Sequence, residues 1–117
     1  MSATDLRNAD WGSESDPFCV CLLRKAGAKE VERFRTAVIQ DSLHPRWDHP
    51  EQELSGCSAG DALVFRVFDK DLLRTELLGE AEVELAPGGF DGELRLHDKK
   101  AKATAKPAML RVRVLVG

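Results

Sequence analysis

The chain is 117 residues long, 43% hydrophobic and 32% charged, with both signs represented and a net charge of −3. Such a length accommodates one domain with one core, and such a composition excludes a disordered polyelectrolyte. The mild acidity, with no stacking aromatic motif, also excludes an ordinary nucleic-acid binder.

Taken in chain order, the pattern is one of period two with hardly any helical stretch. Phe18 to Leu23 reads as a buried strand in which Phe18, Val20 and Leu22 alternate with Cys19, Cys21 and Leu23. After a Gly-Ala turn region at Ala26 to Lys29, a second strand is predicted from Arg33 to Ile39. Asp41 to Pro50 contains two prolines around Trp47, which predicts an irregular extended segment leading to a strand at Glu51 to Leu54. Trp47 is expected in the core. Ala62 to Asp69 reads as a central strand buried on both faces. Beyond Gly79 the alternation is clean, with Ala81, Val83 and Leu85 inward and Glu80, Glu82 and Glu84 outward. Pro87-Gly88-Gly89 is a turn, Glu93 to His97 a short strand, and Lys99 to Pro107 a lysine-rich connection expected to be flexible. Leu110, Val112, Val114 and Val116 then define a last strand. Seven such strands joined by loops predict an all-β, antiparallel sandwich forming one domain over residues 1–117.

No apolar run approaches the ~18 residues of a membrane span, and the N-terminus lacks the pattern of a secretory signal, so the chain reads as cytoplasmic. Its three cysteines are an odd number, which agrees with reduced thiols. Cys19 and Cys21 share a strand face and read as small core residues, because no second Cys or His pair completes a zinc set.

Two acidic clusters are the main chemical feature. Asp10 and Asp16 precede the first strand, and Asp69, Asp71 and Glu76 follow the central one. Five carboxylates brought together repel one another, which raises their proton affinity or demands a cation. A ligand set rich in oxygen and free of histidine and sulfur selects hard ions, calcium before magnesium. The five acids carry −5, so the rest of the chain sums to +2 and the acidity is local. Neither a Ser/His/acid set nor a Cys/His set is recognisable, so no enzyme activity is expected.

The segments Ser15-Asp16-Pro17-Phe18, Leu43-His44-Pro45-Arg46-Trp47-Asp48, Phe68-Asp69-Lys70-Asp71 and Leu77-Leu78-Gly79-Glu80 occur in an order and spacing that resemble a C2 domain, the calcium-dependent phospholipid-binding module of protein kinase C and synaptotagmins. The resemblance runs over roughly residues 3 to 98. It implies an eight-stranded Greek-key β-sandwich in which Asp10 and Asp16 are first-loop calcium ligands and Asp69 and Asp71 third-loop ligands. Glu76 takes the fifth acidic position, and the carbonyls of Trp11 and Lys70 match main-chain ligands. The fifth acid is Glu where the family usually has Asp, and the loop before it is one residue shorter than the commoner form.

Partners follow from the same resemblance. Two calcium ions would reduce a −5 cluster to about −1, so that anionic phospholipid is no longer repelled and its phosphates can complete the coordination. Trp11, Leu72 and Leu73 at the loop tips either enter the bilayer interface or pack back beneath the loops. Arg74 either contacts lipid phosphate or is a solvated loop arginine. Lys25, Lys29, Arg33 and Arg35 are diluted by Glu30 and Glu32 and read as a solvated strand face. The expected role is calcium-triggered, peripheral docking of a larger protein on a membrane. The alternative is a calcium-independent interaction or structural module of the same fold in a tandem array. The family's first strand has no counterpart before Ala3-Thr4-Asp5-Leu6, which implies either that Leu110 to Gly117 is the last strand and leaves an open position, inviting exchange of strands in a homodimer, or that it occupies the missing first position.

Overall fold

The computed structural model of the chain describes residues 1–9, 14–49, 52–71, 74–102 and 105–116, with the backbone alone at 52 and 53. Its central pair is β2 (Pro17–Arg24) and β5 (Ala62–Lys70), antiparallel in unbroken register from Pro17↔Asp69 to Arg24↔Ala62. Cys19, Cys21 and Leu23 face the core beside Leu63, Phe65 and Val67, while Phe18, Val20 and Val64 are buried on the other face. Strands rich in apolar residues on both sides belong at the centre of a sheet, where neither edge meets water. β3 (Val31–Arg35) and β6 (Thr75–Glu84) flank them, so the sheet order is β3-β2-β5-β6.

The second sheet is organised by β8 (Met109–Val116). One edge pairs antiparallel with β7 (Gly89–Arg95). The other is shared by β1 (Ser2–Thr4), antiparallel at residues 109–111, and β4 (Gln52–Leu54), parallel at residues 114–116. Leu110, Val112 and Val114 turn into the core, and Arg111, Arg113 and Leu115 turn out. The C-terminal strand is thus the axis of this sheet, with a single parallel pairing among otherwise antiparallel neighbours. Among the described residues no helix is long and apolar enough to cross a membrane.

Among the described residues eight strands stand where the alternation predicts about seven. The extra one, β1, has three residues, too few for a periodic signal. It is held by non-local bonds: the Ala3 N–H donates to the Pro45 carbonyl at 3.0 Å and the Trp47 N–H to the Met1 carbonyl at 2.9 Å. β1 pairs with residues 109–111 of β8 and β4 with residues 114–116, so the C-terminal strand lies beside both. β3 ends at Arg35 and not at Ile39. The Thr36 hydroxyl takes the Cys19 N–H at 2.9 Å, replacing the carbonyl of a regular ladder. β6 starts at Thr75, ahead of the predicted Gly79: the register shifts opposite Val67 and Phe68, where Leu78 is the extra residue on β6, and the pairing continues through Leu77 and Glu76.

The core lies between the sheets, closed by Trp47 and Leu96, and Trp47 donates its indole N–H to the Pro17 carbonyl at 3.2 Å. Cys19 and Cys21 are free and buried, and burial raises both thiols, Cys21 to about 12. They act as small apolar residues, as expected from their spacing. The strand expected at Glu93 to His97 begins earlier, at Gly89, directly after the Pro87-Gly88 turn. At Gly89, φ is +108° and an added Cβ would lie 2.0 Å from the Val114 carbonyl oxygen. Gly88 has φ +88° with open space around it.

Gly89→Ala is therefore expected to destabilise the fold by about 2 kcal/mol or more, and Gly88→Ala by about 1 kcal/mol. Denaturant unfolding of the two variants checks this. Equal losses would mean that the approach to Val114 is relieved without effort.

Candidate metal and membrane site

The two acidic stretches converge where β2 begins and β5 ends. Pro17 suits the first position of β2 because it has no N–H to place in the ladder. Just before it, the Asp16 N–H donates to Asp69 Oδ1 at 2.8 Å, and the Lys70 N–H donates to the Asp16 carbonyl at 3.0 Å. Asp69 is buried, with 2% of its surface exposed, and Asp16 is half-buried. A buried carboxylate needs donors or cations, and this one is met by a backbone N–H. A carboxylate has about four acceptor positions, so one such bond leaves capacity for a cation.

A third acid joins them that the sequence reading passed over. The Asp41 N–H donates to Asp16 Oδ1 at 2.7 Å, while Asp41 Oδ1 accepts the Glu14 N–H at 2.6 Å. Asp41 has φ +57°, a conformation that aspartate tolerates better than most residues. Its position just before Ser42-Leu43-His44-Pro45 was the available signal. Three loops are thus tied together by carboxylates accepting backbone N–H groups.

Ser15 and Arg7 hold the base of the first loop. Ser15 is fully buried. Its hydroxyl donates to the Arg7 carbonyl and accepts the Ala9 N–H, both at 3.0 Å, and its own carbonyl accepts the Ser42 N–H at 2.8 Å. The Arg7 guanidinium reaches Asp98 at 2.7 Å, Glu76 at 3.5 Å and the Leu77 carbonyl at 3.3 Å. Glu76 lies opposite Asp69 across the β5–β6 ladder. Its carboxylate is nevertheless taken by Lys100 at 2.6 Å as well as by Arg7. The Lys100 hydrogen bond, more than the charge of Arg7, holds Glu76 below the usual glutamate range.

Asp71 and Arg74 are exposed and close the β5–β6 hairpin, with the Asp71 N–H donating to the Arg74 carbonyl at 3.0 Å. Lys70 is exposed at the end of β5 and pairs with Thr75. Asp10, Trp11, Leu72 and Leu73 lie outside the described residues. Among the described residues, no group of three or more His, Cys, Asp or Glu side chains is placed to hold a metal ion. Asp16 and Asp69 form the nucleus of the acidic end, and Glu76 belongs to a neighbouring ion-pair network.

Charged residues of the β2–β3 hairpin have close partners: Lys25 pairs with Asp61 at 2.6 Å, Arg35 with Glu32 at 2.6 Å, and Glu30 with Arg66 of β5 at 2.9 Å. Arg33 donates to the Ser55 carbonyl at 2.9 Å. This matches the solvated, charge-compensated face expected from the sequence.

Comparison with known proteins gives a consistent family. The C2 domain model matches residues 1–105. The chain is 29% identical over 99 residues to a "Calcium-dependent lipid-binding protein" of Arabidopsis thaliana, covering 83% of this chain and 18% of that protein. It is 35% identical over 89 residues to Extended synaptotagmin-1 of Mus musculus, covering 73% of this chain and 8% of that protein. The relatives are thus several times longer than this chain. Among solved structures, a C2 domain of plant Extended Synaptotagmin 1 superposes with a TM-score of 0.65 at 20% identity, covering 92% of this chain and 84% of that one. A calcium-bound pair of C2 domains from Extended-Synaptotagmin 2 superposes with a TM-score of 0.58 at 19% identity, covering 95% of this chain and 40% of that one.

Ser15→Ala is expected to destabilise the protein by about 1–3 kcal/mol, because the Ala9 N–H and the Arg7 carbonyl lose their shared partner. Amide exchange at Ala9 should accelerate while the amides of β8 stay protected. An unchanged Ala9 rate would show that Ser15 does not hold this loop.

Proposed function

Because the chain belongs to the C2 domain family, we propose that it docks a larger protein on anionic phospholipid membranes in response to calcium, the ion being held where Asp16 and Asp69 meet. That meeting, 2.8 Å between the Asp16 nitrogen and Asp69 Oδ1, is the observation that carries the proposal. It brings residues 53 positions apart to one end of the sandwich, where loops are able to bend around an ion.

The proposed ligands are the carboxylates of Asp10, Asp16, Asp69 and Asp71, with the carbonyls of Trp11 and Lys70. Glu76 contributes only if the cation displaces Lys100 and Arg7. Calcium supplies positive charge and vacant coordination positions to which lipid phosphate oxygens bind. The protein's own part is to hold Asp69 rigidly on the sheet and to present Asp71 and Arg74 on the hairpin beyond it. Trp11, Leu72 and Leu73 are proposed to meet the bilayer interface, and Arg74 a lipid phosphate. The name of the Arabidopsis relative supports a lipid ligand and a calcium requirement. In this reading the domain is a targeting module without enzymatic activity, peripheral to the membrane.

A second reading is favoured by one observation. The carboxylate of Glu76 is already neutralised by Lys100 and Arg7, as expected in a calcium-independent interaction module of the same fold.

Calorimetric titration separates the two readings. Calcium binding is expected, with Asp69→Asn and Asp71→Asn each weakening it by at least about tenfold. The amide introduced by Asp69→Asn retains an oxygen for the Asp16 N–H, so the loss reads the charge and not the fold. Thermal melts should accompany the titration, since removing a negative charge relieves repulsion in the calcium-free protein. Sedimentation with phosphatidylserine vesicles should require calcium in the native chain and fail in both variants. Calcium-independent behaviour throughout would leave the interaction module.

A further inference from the structure

Of the connection from Lys99 to Pro107, expected to be a flexible tether, residues 99–102 and 105–107 line a groove of about 830 Å³ together with residues 5–8 and 43–44. The Leu96 N–H donates to the Ala108 carbonyl at 2.9 Å and closes the loop at its neck. Asp98 anchors its start: one carboxylate oxygen accepts the Lys100 N–H at 3.0 Å, and the other is 2.7 Å from Arg7 Nε. A hydrogen bond from the Ala101 N–H to the Asp98 carbonyl at 3.2 Å completes a turn that projects lysines at the opening.

Six cationic side chains line this groove, against two acids, Asp5 and Asp98. Asp98 is consumed by Arg7, and Asp5 lies 3.9 Å from Lys106. Lys100 reaches outward to Glu76. Arg95, Lys99 and Lys102 are exposed and make no ion pair among the described residues. The groove therefore has a surplus of positive charge that its own acids do not neutralise. His44 also lines the groove, its Nδ1 accepting the Asp5 N–H at 3.0 Å. The contrast is the β2–β3 hairpin and the neighbouring β5, where Lys25, Arg35 and Arg66 each have a carboxylate within 3 Å.

We propose that this groove binds a polyanionic phosphate group without any divalent cation, through Arg95, Lys99 and Lys102, as a site separate from Asp16 and Asp69. Several point charges and one planar guanidinium around a concave surface of this volume suit clustered phosphomonoesters better than a single carboxylate. The same chemistry is offered by a phosphorylated inositol lipid headgroup and by a free inositol polyphosphate. The proposal stands independently of calcium, so its test runs in chelator.

The whole 117-residue chain is titrated calorimetrically in EDTA with inositol hexakisphosphate and with inorganic phosphate. It is also sedimented in EDTA with phosphatidylcholine vesicles, plain or carrying phosphatidylinositol bisphosphate. Inositol hexakisphosphate is expected to bind at least about tenfold more tightly than inorganic phosphate, and more weakly as salt is raised. The triple variant Arg95→Gln, Lys99→Gln, Lys102→Gln should lose at least about tenfold in affinity with its melting temperature unchanged. The matched triple Lys25→Gln, Lys29→Gln, Arg35→Gln on the hairpin should bind as the native chain does. Co-sedimentation with the phosphoinositide vesicles alone assigns the site to a lipid, and binding of the soluble anion without it assigns the site to a free polyphosphate. Absence of binding in EDTA, equal losses in the two triple variants, or loss confined to the hairpin variant would overturn the proposal.

Discussion

The functional end of this protein depends on the antiparallel pairing of β2 with β5. Eight consecutive register pairs, buried on both faces, place Pro17 opposite Asp69 and leave no freedom to slide. A slip of one residue would turn Cys19, Cys21, Phe65 and Val67 to the wrong face. The position of Asp69 beside the first loop is therefore a by-product of core packing. Stability and site geometry are specified by the same apolar residues, with little separate investment in the loops.

Backbone N–H groups extend that rigid pair into the loops. The Pro17 carbonyl accepts both the Ile39 N–H and the Trp47 indole, the Asp16 carboxylate accepts the Asp41 N–H, and the Ser15 hydroxyl joins Arg7 to Ala9. Each bond ties a non-repetitive segment to the start of β2. Bonds of this kind hold Asp16, Asp41 and Asp69 near one another, which leaves less ordering for a ligand to impose on them. Arg7 extends the connection sideways to Asp98, Glu76 and Leu77, so the acidic end and the basic groove share one residue at their boundary.

The distribution of charge gives the molecule a division of labour. On the β2–β3 hairpin and across β5 and β6, opposite charges are matched and contribute mainly to solubility and register. At the loop end, negative charge gathers at Asp16, Asp41 and Asp69. Beside it, positive charge gathers along the connection between β7 and β8. In the proposed role, adjacent surfaces of opposite sign would give two ways of meeting phosphate, one through a bridging cation and one directly.

Much of this was legible in the residues. Alternation identified the long strands, because burial of every second side chain leaves a periodic record, and the buried Trp47 and the paired cysteines followed from their neighbours. The acids at 16 and 69 were identifiable as partners from their places beside strands. The tertiary structure alone decided what depends on pairing across the chain. β1 is too short to be periodic and exists through bonds to Pro45 and Trp47; β8 takes the middle of its sheet, parallel to β4, a matter of strand order that local patterning does not encode. Glu76 shares a motif with Asp69 and Asp71, yet its charge is held by Lys100 and Arg7. Asp41 is marked only by its place before the Leu43-His44-Pro45 segment, yet it joins the cluster. An ion pair is set by which side chains fold into reach of one another, and a linear pattern records only which faces are dry.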